Sequence, residues 1–177
     1  MALATTRRRL LTGGAALSWF LVNGSWLSMS AAQARVAGFS PQKLTDEQCT
    51  TLEILADELV PGARDAGIAA FIDSQLTAGE ESLLIAKYLG IPAPQQLGFY
   101  QAALDSGTRL LATQDLSAAF AIELISKDEV LNWEGAPASF FSFVLRADAL
   151  DVVYGTEHGF EQLGIPYMAH ISPQEAW

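Results

Sequence analysis

Two histidines, one cysteine and a scatter of carboxylates make up the reactive inventory of this 177-residue chain. His158 and His170 stand twelve positions apart in a stretch rich in glycine and proline, with Glu157, Glu161 and Glu175 close by. Neutral imidazole and carboxylate are competent ligands for zinc or iron, so one reading makes them a metal site and the chain a small metal-dependent enzyme. The spacing does not put two ligands on one face of a rigid helix, and the other reading makes both imidazoles surface or interface hydrogen-bonding groups. Cys49 falls in the first turn of an expected helix, where the helix dipole lowers a thiol pKa, an effect that neighbouring Asp46 and Glu47 oppose. It is expected either as a small packed residue or, being the odd cysteine of an exported protein, as an inter-chain thiol. Asp57, Glu58, Asp65 and Asp73 offer carboxylates for general acid/base work. Their pattern is that of a solvated face.

The signatures GxGxxG, GxxxxGK(S/T), GxSxG and HExxH do not occur in the sequence, so no familiar nucleotide, hydrolase or zinc-protease device is present. A single cysteine excludes an internal disulfide and any cysteine-built zinc or iron–sulfur site within one chain. Ten basic residues against twenty acidic ones give a net charge of −10, a field that opposes phosphate backbones and excludes nucleic acid as a partner. Half the residues are hydrophobic and 17% charged, which excludes disorder. The length suits one domain.

The elements that carry these residues begin after an export signal, expected over residues 1–34. Arg7-Arg8-Arg9 is followed by an uncharged run from Leu10 to Ala34 that includes Trp19-Phe20-Leu21-Val22. Ala32-Gln33-Ala34 places small residues where a signal peptidase grips, so cleavage is expected before Arg35, with Ser28 to Ala32 as alternative cuts. Thr6-Arg7-Arg8-Arg9-Leu10-Leu11 has the twin-arginine arrangement, with Arg7 and Arg8 as its signal residues and the Tat translocon as its reader. That route exports proteins already folded. An ordinary Sec signal and an uncleaved anchor are the alternatives. Without the leader 7 basic residues face 20 acidic ones, a net −13.

Residues 35–44 lack periodicity and are expected as an extended leader. A helical domain follows over 45–153. Thr45-Asp46-Glu47-Gln48 is a capping box, and Leu52, Leu55, Ala56 and Leu59 make one apolar stripe that stops at Pro61-Gly62. Further helices are expected over 66–77, over 80–89, from Pro94 to Leu111, from a cap at Asp115 or Ser117 through Ile125, and over 137–153, with 127–133 as an added turn. Gly98 and Gly107 weaken the fourth by roughly 1 kcal/mol each relative to alanine. No run shows sustained strand alternation. The fold class is therefore all-α, with five or six short-to-medium helices in an orthogonal array or bundle and an irregular tail over 154–177. Phe160, Leu163, Ile165, Tyr167 and Met168 in that tail either wrap their own helices or contact a partner. Phe143 leaves the core stripe and is an interface candidate, as is Tyr154.

The segment Leu52-x-x-Leu55-Ala56-Asp57-x-Leu59-Val60-Pro61-Gly62-Ala63-x-x-Ala66-Gly67-x-x-x-Phe71-Ile72-Asp73 resembles the opening of the gluconate 2-dehydrogenase subunit 3 family. Phe140-Phe141-x-x-Val144-x-Arg146, Tyr154-Gly155 and Leu163-Gly164-Ile165-Pro166 are similar to its closing pattern. The resemblance implies a noncatalytic small subunit of a membrane-associated sugar or sugar-acid dehydrogenase. A large partner of the glucose-methanol-choline type would hold FAD and perform the oxidation, and a multihaem cytochrome c subunit would carry haem c and pass electrons on. The small subunit would bear the Tat signal for the folded large one and stabilise it in the periplasm, at the outer face of the cytoplasmic membrane. The alternative is a free-standing export or assembly chaperone that releases its client.

Overall fold

A computed structural model describes residues 18–113 and 116–165, so Arg7, Arg8, Tyr167, Met168 and His170 lie outside the described residues. Among these residues the chain is all-α apart from one hairpin. The elements are β1 (Ser18–Val22), β2 (Ser25–Met29), α1 (Ala31–Ala37), α2 (Asp46–Leu59), α3 (Ile68–Ala78), a 3-10 turn (Gly79–Glu81), α4 (Ile85–Tyr88), α5 (Ala93–Leu111), α6 (Ala118–Ser126), α7 (Ala138–Tyr154) and α8 (Glu157–Gln162).

The middle helix, α2, starts at the expected capping box: Thr45 accepts from Gln48 N–H while the Gln48 side chain reaches back to Thr45 N–H. Leu52, Leu55 and Ala56 on its stripe are fully buried, and α2 touches α3, α5, α6 and α7. Its seam with α5 is polar as well as apolar. Thr51 and Thr108 share a hydroxyl hydrogen bond of 2.6 Å, and Gln48 donates to Asp105 at 2.8 Å. Gly107, expected only to weaken its helix, has a reason to be there. A Cβ at that position would lie 3.0 Å from Leu55 Cδ1 and 3.2 Å from Thr51 Cγ2, so the missing side chain lets the two helices close up.

Aromatic rings fill the space between α5 and α7. Phe99 stacks edge-on against Tyr100 at 5.2 Å and Phe140 at 5.9 Å, and Phe141 lies within 5.9 Å of both Phe99 and Trp133. Rings at these separations and tilts add stabilisation beyond the area they bury.

Three expected stretches after α3 need correction. Residues 80–89 do not form one helix: the chain makes the 3-10 turn, runs extended at Ser82 and Leu84, and resumes for the single turn of α4. The added turn over 127–133 is a loop in which Asp128 and Asn132 take left-handed conformations. The tail is not wholly irregular, because Thr156 caps α8, which folds back on α7.

The largest difference lies at the N-terminus. Residues 18–37, assigned to a leader and an extended stretch, are folded and packed. Asn23 and Gly24, both with positive φ, turn β1 into β2 with the backbone signature of a type I′ hairpin. Trp19 and Leu21 face outward, while Phe20 and Val22 face inward, each 4% exposed, against Ala34 and Ala70. Ser30 and Gln33 form a capping box for α1, and α1 packs on α3.

Asp73 belongs to this corner too. It is not on a solvated face: at 3% exposure its carboxylate accepts from the backbone N–H groups of Gln42, Lys43 and Leu44 at 2.9, 2.8 and 2.9 Å. Those three donors precede α2 and have no strand or helix partner, so removing the carboxylate strands them. Asp73→Ala should cost about 2–4 kcal/mol, seen as a lower urea midpoint with an unchanged m-value.

Candidate functional site

Three places could do chemistry or bind, and their surroundings separate them. The first is a buried pair that the sequence reading passed over. Tyr100 on α5 and Asp148 on α7 are 0% and 1% exposed, and the Tyr100 hydroxyl donates to Asp148 Oδ2. Oδ1 accepts from Ile85 N–H at 2.9 Å, at the start of α4. Burial pushes the Asp148 carboxyl up to about 6; the two hydrogen bonds pull against that, and Asp151 adds to it. Burial, reinforced by the Asp148 charge and hydrogen bond, raises the Tyr100 hydroxyl well above its ordinary range. A tyrosine and a carboxylate of shifted acidity are a familiar acid/base combination. Here both are sealed from solvent, and the pair joins three elements instead of meeting a substrate.

The second place is a cleft of about 360 Å³ between the hairpin and α3, with Trp19, Trp26, Phe39, Asp73, Gln75 and Glu81 in its walls. Both oxygens of Asp73 are engaged by the three backbone donors, and Gln75 Oε1 accepts from Leu83 N–H. Its acids and amides are thus mainly structural, and the indoles give it stacking walls.

The third place is the surface around α7. Phe143 is 58% exposed and Leu150, seven residues on and so on the same helix face, is 42% exposed. Leu163 and Ile165, each 51% exposed, follow α8. The short α4, which also packs on α7, adds Tyr88 at 67%. Single exposed apolar residues are ordinary; several on α7 and on the elements that pack against it make these residues candidates for an interface.

Each expected site residue has its place relative to these three. Phe143, Leu163 and Ile165 lie on the exposed region, while Tyr154 is half-buried against the core cluster and Phe160 is half-exposed. Tyr88, in the stretch expected as a helix over 80–89, ends the single turn of α4 and is a surface residue. Cys49 is 8% exposed, and burial first, then the charges of Asp73, Asp46 and Glu53, push its thiol up to about 12. Such a thiol is neither nucleophilic nor presented to another chain, so packing is the reading its geometry supports and the inter-chain thiol is not. Asp57 is partly buried and accepts from Gly62 and Arg64 N–H, whereas Glu58 and Asp65 are exposed. Among the described residues, no three His, Cys, Asp or Glu side chains gather where a metal ion could be held, and no helix is long and apolar enough to cross a membrane.

Comparison with family models, curated proteins and solved structures finds no match to the chain.

The acidity of Asp148 fixes a pH dependence of stability. Its carboxyl holds a proton more tightly folded than unfolded, so between about 4 and 6 the native state binds more protons and stability falls as pH rises. A shift from 3.8 to about 6 corresponds to roughly 3 kcal/mol lost across that window. Urea unfolding from pH 4 to 7 should show this decline, and Asp148→Asn should flatten it.

Proposed function

We propose that this chain is the noncatalytic small subunit of a periplasmic, membrane-associated, FAD-dependent dehydrogenase of sugars or sugar acids. In this reading it carries the Tat signal under which its large flavoprotein partner is exported folded, and it stabilises that partner after export. FAD resides in the large glucose-methanol-choline-type subunit and haem c in a cytochrome subunit. The reading is supported by the two sequence segments that resemble the gluconate 2-dehydrogenase subunit 3 family, and the structural observation that carries it is the exposed apolar region around α7. The closing segment of that resemblance runs through this same region, from Phe140 to Ile165.

Each part of the chain then has a task. The twin-arginine pair Arg7-Arg8 supplies transport for a folded cargo that needs no signal of its own. Phe143, Leu150, Leu163 and Ile165 offer apolar surface to the partner, where a standard interface buries about 1,600 Å² in total. The aromatic cluster behind Phe143 gives that surface a rigid backing, since Phe141 is 1% exposed and Phe140 is in ring contact with Phe99. An apolar docking face suits a chain of net charge −10, because such contacts survive salt that weakens charge attraction.

Affinity purification of the tagged chain from its native periplasm should recover a stoichiometric flavin-bearing protein that withstands 1 M salt. Phe143→Asp combined with Leu163→Asp should lower that recovery at least tenfold while leaving the helical circular dichroism unchanged, since both side chains are exposed. Arg7→Lys with Arg8→Lys should leave the partner and its dehydrogenase activity in the cytoplasm. A partner that is carried out but lost after export identifies a chaperone instead. Sugar oxidation by the isolated chain, with bound zinc or iron, would replace both readings with that of a metal enzyme.

A further inference from the structure

The Ala34–Arg35 bond, where small residues mark a signal-peptidase cut, lies inside α1. Ala34 is fully buried, in a cluster with Phe20, Val22 and Ala70. Helical and buried backbone is a poor protease substrate, since cleavage concentrates in exposed, extensible segments. We infer that Ser18–Ala37 is a permanent cover of the fold, retained in the mature protein, and that the Ala32-Gln33-Ala34 site is closed to processing once the chain has folded.

Separate contacts hold the cover down at β1 and at α1, while β2 pairs with β1 on the outside. Ser40 N–H donates to Leu21 O at 2.7 Å, and Val22 bridges to Phe39, so β1 is paired on both edges. Gly67, at φ +84, lies under the start of α1, where a Cβ would stand 2.3 Å from the carbonyl carbon and oxygen of Ala31. No other residue allows that approach, because glycine alone accepts both the left-handed conformation and backbone pressed this close. Arg35 then reaches Glu53 on α2 at 3.3 Å and Asp65 at 3.5 Å. Cutting before Arg35 would keep this ion-pairing residue and discard Phe20, Val22 and Ala34, leaving Ala70 with only Phe39 from the residues of its cluster. The inference concerns the chain's own fold and stands whether or not a flavoprotein binds it.

Trypsin reports on the neighbouring bond, Arg35–Val36, in the full-length folded chain. The wild-type bond should resist, and Gly67→Val, which drives methyl groups into Ala31, should speed its cleavage at least tenfold. Should that variant fail to fold, Phe20→Ala removes an inner-face ring and should act in the same direction. Accumulation of a fragment beginning at Val36 from the wild-type chain, with its helical signal intact, would overturn the inference. So would equal cleavage rates in wild type and both variants, or recovery of exported protein that begins at Arg35.

Discussion

A carboxylate with almost no water around it holds the body of this protein together. Asp148 sits on α7 between α4 and α5, with Tyr100 on one oxygen and the Ile85 N–H on the other. An ionised group in such a place is tolerated only when its acceptor capacity is used. The consequence runs outward from there. Because Ile85 N–H is taken up by Asp148, the chain between the 3-10 turn and α5 is pinned without a long helix of its own. Tyr100 is fixed with its ring nearly perpendicular to those of Phe99 and Phe141, so the aromatic cluster is oriented by the same contact. That cluster lies behind Phe140 and Phe141, and the outward position of Phe143 follows from theirs.

The same device recurs in weaker forms. Asp73 gathers the backbone donors of Gln42, Lys43 and Leu44, Asp57 those of Gly62 and Arg64, and Asp128 that of Ser139. Every one of these donors belongs to a loop or to the first turn of a helix, where backbone N–H groups lack a partner. The acidic balance of the chain is therefore partly an architectural property. Aspartates close the joints between helices, and a short side chain with two acceptor oxygens is suited to two or three donors converging from one turn. Arg64 and Arg35, both within 4 Å of Glu53, add charge contacts near the joint between α1, α2 and the turn before α3.

What the sequence made legible was whatever depended on periodicity and caps. The stripe Leu52, Leu55, Ala56 and the box Thr45–Gln48 locate α2 to the residue, and Phe141, Val144, Leu145 and Ala149 locate the buried side of α7. What it hid were the long-range partners. Nothing near Asp73 or Asp148 in sequence announces that their acceptors serve donors about thirty and sixty residues away, so an aspartate on a helix looks like a solvated one. The hairpin is a different case, because its signal was present and outweighed. Asn23-Gly24 between Trp19–Val22 and Trp26–Met29 is a strong short-range hairpin pattern, yet an uncharged run after three arginines also fits the apolar part of a leader. Hydrophobicity alone does not separate the two, since a strand pair buried on one face and a translocated segment draw on the same residues. Of the exposed residues around α7, Phe143, Leu163 and Ile165 were legible, because each breaks or outlasts a helical stripe. Tyr88 gave no sign, because its exposure follows from how early α4 stops.

Two demands therefore meet on one segment. As the apolar part of a leader, Trp19–Val22 would have to leave the protein for the translocon; as β1, it keeps Phe20 and Val22 packed on Ala34 and Ala70. Under the proposed export of a folded chain the second demand comes first, since the hairpin contacts form with the body they cover. Opening them would uncover apolar surface and break the pairing of Leu21 and Val22 with Ser40 and Phe39.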